Sequence, residues 1–279
     1  NQGSCQSARH NKRIMIFLNR KKTKTVGFIV GCQRSGTTML TKILARSPHV
    51  SVYGEANKEA NKDWRLRDEK EIKQLIRREH HELIIFKPLN DTQYTDRLLL
   101  YDDNAKAIWI YRCYQDTVNS AVTKWQDTHK KYMLWISRQS SLTTPAGYSG
   151  EDKWNAIYIE RMPSGIKLLV NELAHADISN EEGAALLWYV RNRIYFDLNL
   201  SGNDKVMLVK YEDLVTDPLF HVRRIATFLE TEIDDNIVDG VVTTSINKHS
   251  APVINPAIRS HCDKLMNLLD RQYMQQLKR

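Results

Sequence analysis

The chain has 279 residues, 42% hydrophobic and 27% charged, with a formal net charge of +8. That length buries a large core and suits one α/β domain with excursions better than two full domains, and the composition excludes a long disordered tract. The longest apolar runs, such as 14–18 and 26–30, are strand-sized and far too short to span a membrane. The positive balance favours polyanionic partners: nucleic acid, an acidic glycan, an anionic cofactor or a membrane surface. Part of the excess, however, sits in Lys12, Arg13, Arg20, Lys21, Lys22 and Lys24, a lead-in where a basic arm is ordinarily just solvated. Cys5, Cys32, Cys113 and Cys262 are scattered, without a C-x-x-C pair, and read as free thiols. The two sequons, at Asn90 and Asn199, are no more than chance supplies.

In chain order, a polar, basic lead-in over 1–24 precedes a buried strand at 26–30, a tight loop, and a helix from about Thr38 to Ala45 that Pro48 helps to end. A short extended run, 50–53, leads to Gly54-Glu55. A charged helix with apolar spacing at Leu66, Ile72, Leu75 and Ile76 follows. Two β-rich runs then end in cations: 83–86 in Lys87-Pro88, and 107–111 in Arg112, which opens onto a helix through Val118 and Val122. The alternation predicts an α/β fold, a doubly wound, mostly parallel sheet flanked by helices, with ligands at the carboxyl ends of the strands. Gly31 to Arg34, Lys87 and Arg112 all fall at those ends.

From 125 to 164 the alternation lapses, and Trp125, Tyr132, Trp135, Tyr148, Trp154 and Tyr158 suggest helices and a loop laid over the sheet. Helices near 165–175 and 181–199, a strand at 205–210, a helix at 221–229, a loop at 243–256 and a C-terminal helix from about Ala257 complete the chain. Trp188 and Tyr195 read as core. We expect residues 25–279 to form a single domain, with 125–164 on its acceptor side.

The chemistry centres on Gly31-Cys32-Gln33-Arg34-Ser35-Gly36-Thr37-Thr38. Its spacing matches the phosphate-cradling loop G-x-x-x-x-G-K-[ST], except that Thr37 stands in the lysine's place. Backbone N–H groups at a helix mouth can still hold an anion. An ATPase or GTPase would also need a carboxylate at a strand end for magnesium, and the strand at 107–111 ends in Arg112 instead. Arg112 and Ser120 are spaced so that both can reach one phosphate group. Asp116, between them, reads as a helix-start residue that offsets the N-terminal dipole.

These residues resemble a known family. The loop is similar to the 5′-phosphosulfate loop of sulfotransferases that use 3′-phosphoadenosine 5′-phosphosulfate (PAPS). Arg112 through Ser120 resembles their 3′-phosphate motif, and Val209 to Pro218 a strand and turn late in those chains. The closest likeness is to the carbohydrate and protein-tyrosine type, whose loop reads R-S-G-T-T.

The resemblance implies a P-loop, nucleotide-kinase-like fold and PAPS as donor, 3′-phosphoadenosine 5′-phosphate (PAP) as product, and no metal. It assigns Glu55 as general base and Lys87 to the bridging oxygen. It places Arg34 with the backbone of Ser35, Gly36, Thr37 and Thr38 on the 5′ side, and Arg112 and Ser120 on the 3′-phosphate. Tyr211 and Lys248 are expected near the adenosine and its phosphate. His49, His80 and His81 rank below Glu55 as bases. Gln33 replaces a proline often found before the arginine, and Cys113-Tyr114 a polar pair after the second one.

The expected partner is an acceptor hydroxyl or amine on a small molecule, glycan or peptide, with no nucleic acid and no transmembrane segment. A small-molecule kinase using ATP and a non-catalytic binder of heparin-like glycan or nucleic acid are the alternatives. The unpaired cysteines and lack of an anchor favour a cytoplasmic enzyme, with a Golgi-lumenal or secretory-pathway fragment as the other placement.

Overall fold

The computed structural model describes residues 24–139 and 157–278. The basic lead-in apart from Lys24, Cys5, and the Tyr148 and Trp154 part of the aromatic segment lie outside the described residues.

The strands are β1 (Thr25–Gly31), β2 (Val50–Tyr53), β3 (Asn61–Lys62), β4 (Arg65–Leu66), β5 (Leu83–Phe86), β6 (Ala105–Tyr111) and β7 (Val206–Lys210). Five of them form one sheet in the order β2-β5-β1-β6-β7, every neighbouring pair parallel, while β3 and β4 make a small antiparallel hairpin. The expected doubly wound parallel sheet is therefore present. The helices are α1 (Thr37–Leu44), α2 (Glu69–Arg78), α3 (Thr95–Leu98), α4 (Tyr114–Trp125), α5 (Thr128–Arg138), α6 (Ser164–Leu173), α7 (Asn180–Asp197), α8 (Tyr211–Thr216), α9 (Pro218–Phe228) and α10 (Pro256–Leu277). A 3₁₀ turn, Leu89–Tyr94, follows β5.

Alternation along β1 divides the core in two. Val26, Phe28 and Val30 pack into one cluster with α4, α5, α7 and α10, among them Val118, Met133, Trp188 and Leu265. Ile29 faces the other way, against Leu40, Ile43 and Leu44 of α1 and Leu214 and Ile225 of α8 and α9. A strand buried on both faces needs an unbroken apolar run, and β1 and β5 supply one. The chain leaves β1 toward α1 and leaves β6 toward α4, on opposite faces, so a crevice opens between neighbouring strands where ligands bind in such sheets.

Local chemistry sets the boundaries. Asp68 caps α2 by accepting a bond from Glu71 N at 2.9 Å, so that helix begins after Leu66, which lies in the hairpin rather than on the expected helix face. Ser179 and Glu182 form a reciprocal capping box that starts the buried α7 at 3.1 and 2.7 Å. Trp188 and Tyr195, read as core, are fully buried. Gln126 ends α4 at φ 50°, ψ −111°, a conformation costly for any residue with a Cβ. Its side chain is exposed, so Gln126→Gly should raise stability by about 1 kcal/mol, seen as a higher thermal midpoint.

Candidate active site

The site grows from the close approach of β1 and β6. Gly31 sits at φ +129°, and a Cβ there would meet the Ile110 carbonyl oxygen at 2.3 Å, so only glycine fits. Thr92 Oγ1 accepts a bond from Gly31 N at 3.3 Å and donates to Leu89 O at 2.9 Å, tying the start of the loop to the turn that follows β5. The loop then turns through Arg34 at φ 66° and Gly36 at φ 94°. A Cβ on Gly36 would lie 2.2 Å from Tyr211 Cδ2, so the aromatic ring seats against the loop itself. No side chain caps α1 and no acidic residue stands in its first turn, which leaves its first N–H groups available to an anion.

At one end of this helix mouth lie Lys87 and Glu55. β2 and β5 are neighbours in register, and Lys87 N continues the ladder to Tyr53 O at 3.1 Å, so the residues just beyond both strands converge. Lys87, buried, donates to Thr38 Oγ1 at 2.8 Å and pairs with Glu55 Oε2 at 2.8 Å. Glu55 remains partly exposed.

At the other end lie Arg112, Ser120 and Arg34. Arg34 Nε donates to Ser120 Oγ at 3.0 Å, and its guanidinium lies 5.6 Å from the Trp125 ring centroid. Burial, and after it the charge of Arg112, hold the Arg34 pKa below its ordinary value. The two guanidiniums are close enough to repel, and Ser120 stands beside them on the same cavity wall. Arg112 packs 4.6 Å from the Tyr211 ring centroid, pairs with Asp116 at 3.3 Å and donates to Ser245 O. A cavity of about 420 Å³ runs from Thr38 to this cluster, lined by Arg34, Arg112, Ser120, Tyr211 and Lys248 among others.

The structure thus gathers Arg34, Gly36, Thr37, Thr38, Arg112, Ser120, Tyr211 and Lys248 around one cavity, with Ser35 buried in the loop and Lys87 and Glu55 beside Thr38. Arg34 points to α4 and Arg112; the loop residue that meets Lys87 is Thr38. Asp116 does more than offset a dipole: buried, it holds Arg112 and accepts a bond from Asn247 N at 3.0 Å, anchoring the 243–250 loop. Tyr211 OH and Ser245 Oγ, 2.5 Å apart, fasten the same loop. His49, His80 and His81 lie outside the cavity lining.

Sequence reasoning missed Trp125, Thr123 and Lys124. The signal was available: Asp116, Ser120, Thr123 and Lys124 recur at helical spacing on the face of α4 below Arg112. Cys113, Asp116 and Glu212 are, among the described residues, a set whose potential metal-ligating atoms lie within 4.8 Å of one another. Asp116 there is already paired with Arg112, and Glu212 Oε1 accepts a bond from Cys113 N at 2.9 Å, so the set braces the start of α4.

The sequence model described as "Sulfotransferase family" matches residues 28–235, from the middle of β1 to beyond α9. The chain belongs to the sulfotransferase family. The match takes in the loop, Glu55, Lys87, Arg112, Ser120 and Tyr211, and leaves Lys248 outside.

Among solved structures, the chain resembles the sulfotransferase domain from the curacin biosynthetic pathway, at 14% identity and TM-score 0.51, over 88% of this chain and 98% of that one. It also matches the sulfotransferase domain of the Synechococcus PCC 7002 olefin synthase, at 18% identity and TM-score 0.45, over 89% and 95%. A mouse sulfotransferase complexed with PAP matches at 15% identity and TM-score 0.38, over 85% and 69%. Comparison with curated proteins gives no match.

Among the described residues no helix is long and apolar enough to cross a membrane. The loop's own scaffold is testable without any ligand. Thr92→Val keeps the shape but strands the buried Gly31 N–H, and should cost about 1–3 kcal/mol in urea-induced unfolding.

Proposed function

We propose that this sulfotransferase moves a sulfuryl group from PAPS to an acceptor hydroxyl or amine by in-line transfer, within a single catalytic domain spanning residues 25–279. The observation that carries this reading is the two-ended cation site about one helix mouth: Lys87 with Glu55 at one end, Arg112 with Arg34 and Ser120 at the other. A donor with phosphate at both 5′ and 3′ positions fits such a site; ADP or ATP leaves the second end unfilled. The chain's composition adds weight, since Thr37 replaces the loop lysine of a nucleoside triphosphatase and the residue after β6 is an arginine rather than a magnesium-binding carboxylate.

The phosphosulfate rests on the backbone N–H groups of Ser35, Gly36, Thr37 and Thr38. Ser35 Oγ, buried without a partner among the described residues, is one group such an anion would satisfy. The 3′-phosphate takes Arg112, Ser120 and Arg34, and Arg112 Nε, likewise buried without a partner, suits it. Tyr211 and Lys248 line the space between and beyond.

In the reaction the acceptor oxygen or nitrogen forms its bond to sulfur while the bond from sulfur to the bridging oxygen breaks. The electron pair of that bond stays on the departing 5′-phosphate of PAP, and the acceptor proton passes to Glu55. Lys87 turns from Glu55 to the bridging oxygen as charge develops there, where a cation and a helix dipole are worth most. The acceptor approaches past Glu55, the partly exposed member of the pair. Cys32, Cys113 and Cys262 are free thiols, which favours a reducing, cytoplasmic setting. Within the family, R-S-G-T-T supports a likeness to the carbohydrate and protein-tyrosine type.

Calorimetry should show magnesium-independent binding of PAP that Arg112→Ala weakens by about tenfold or more. Binding of ADP equal to that of PAP would refute the donor assignment, and a steep salt dependence with no nucleotide preference would favour a polyanion binder instead. A screen of phenols, sugars, lipids and tyrosine peptides with labelled PAPS identifies the acceptor. With an acceptor in hand, Glu55→Gln should leave PAP affinity unchanged and lower turnover by about a hundredfold. Retained turnover would remove Glu55 as the base.

A further inference from the structure

Behind the loop lies a cation that the proposed chemistry does not use. Arg191, near the middle of α7, is 1% exposed. Its guanidinium donates to Gln93 Oε1 at 3.1 Å and to Leu89 O, its Nε is buried without a partner among the described residues, and its Cζ lies 5.7 Å from the Tyr158 ring centroid. It makes no ion pair with a described residue. The acids nearby, Asp91 and Glu160, are held by Arg65 at 2.7 and 2.8 Å. A buried charge without a counter-ion is costly, and a leucine or methionine would fill the same space at lower cost to the fold.

What Arg191 holds gives it a role. Leu89 and Gln93 belong to the 3₁₀ turn that begins two residues after Lys87, and the same turn is tied on its other side to Gly31 through Thr92. The turn is therefore clamped between the start of the loop and α7, and Lys87, two residues before it, reaches Thr38 and Glu55. Gln93 extends the clamp, since its Nε2 donates to Glu160 Oε2 at 3.2 Å beside Tyr158.

We infer that Arg191 is a positioning residue: by fixing the Leu89–Tyr94 turn from below, it sets where the Lys87 ammonium stands over the 5′ end of the bound donor. The inference rests on the donor assignment above, and adds to it a residue distant in sequence from every motif. Burial keeps the Arg191 pKa below its ordinary value, yet a guanidinium starts so high that it stays charged. Its charge also reaches Cys32 within the loop, whose thiol it pulls down against a larger upward push from burial.

Calorimetry with adenosine 3′,5′-bisphosphate and adenosine 3′-monophosphate tests this without an acceptor, because the ratio of the two affinities isolates the 5′-phosphate. Lys87→Met should cut that ratio by about tenfold. Arg191→Met should cut it by about threefold or more while leaving the 3′-monophosphate affinity unchanged, and Arg191→Lys, which keeps the charge and one of the two bonds, should recover most of the loss. In the Lys87→Met background, Arg191→Met should have no further effect on the ratio beyond twofold, since the two act as one unit. An unchanged ratio in Arg191→Met, or losses from the two substitutions that simply multiply, would overturn the inference while leaving the donor assignment standing. A wild-type chain that binds the bisphosphate no better than the monophosphate would overturn both. Should Arg191→Met fail to fold, Gln93→Leu removes one arm of the clamp and is judged by the same ratio and the same cycle.

Discussion

The constraint on which the site depends is the gathering of positive charge at a largely buried sheet edge. Lys87, Arg112 and Arg34 come from three different connections, and each is held by groups of the protein itself: Glu55 and Thr38 for Lys87, Asp116 and a carbonyl for Arg112, a hydroxyl and an aromatic face for Arg34. Arg34 feels Arg112 as a like charge. These contacts keep the cations ordered without neutralising them fully. Under the function proposed above, an anionic donor would replace these partners at cations already in place, which is the condition under which preorganised charge stabilises a transition state.

The sheet makes that gathering possible. Because β1 and β6 pair in register up to Gly31 and Ile110 and then send their helices to opposite faces, the backbone itself parts at the mouth of the loop, the place where such sheets bind ligands. β5, on the other flank of β1, carries Lys87 to the same height, and β2 beyond it carries Glu55. Four strand ends, rather than one contiguous motif, define the active centre. The loops and turns serve mainly to fix side chains already aimed by the strands.

This explains what was legible in the sequence. Strand-end cations followed by a helix, glycine at the tight turns, and the 112–120 spacing are local patterns, and each predicted site residue that the sequence placed at a strand end is found there. The β3–β4 hairpin escaped because two-residue strands carry no periodicity, and Leu66 then mimics a helix position. The roles of Asp116, Trp125 and Thr92 escaped for another reason. Asp116 looks like an ordinary N-terminal helix acid until the 243–250 loop, more than a hundred residues away, folds onto it. The direction of Arg34 was likewise unreadable, since a positive-φ arginine in a loop can face either end of the helix mouth.

The missing loop lysine has a structural consequence beyond chemistry. A lysine inside the loop would be carried by the same backbone that cradles the phosphate, so its distance from the anion would be set locally. Here the equivalent charge comes from β5 and reaches the loop only through Thr38. Its placement depends on the β2-β5-β1 register and on what holds the turn after it, where Thr92 on one side and Arg191 on the other supply buried polar contacts. A cation carried by a neighbouring strand rather than by the loop itself needs such buried polar contacts to keep the two together.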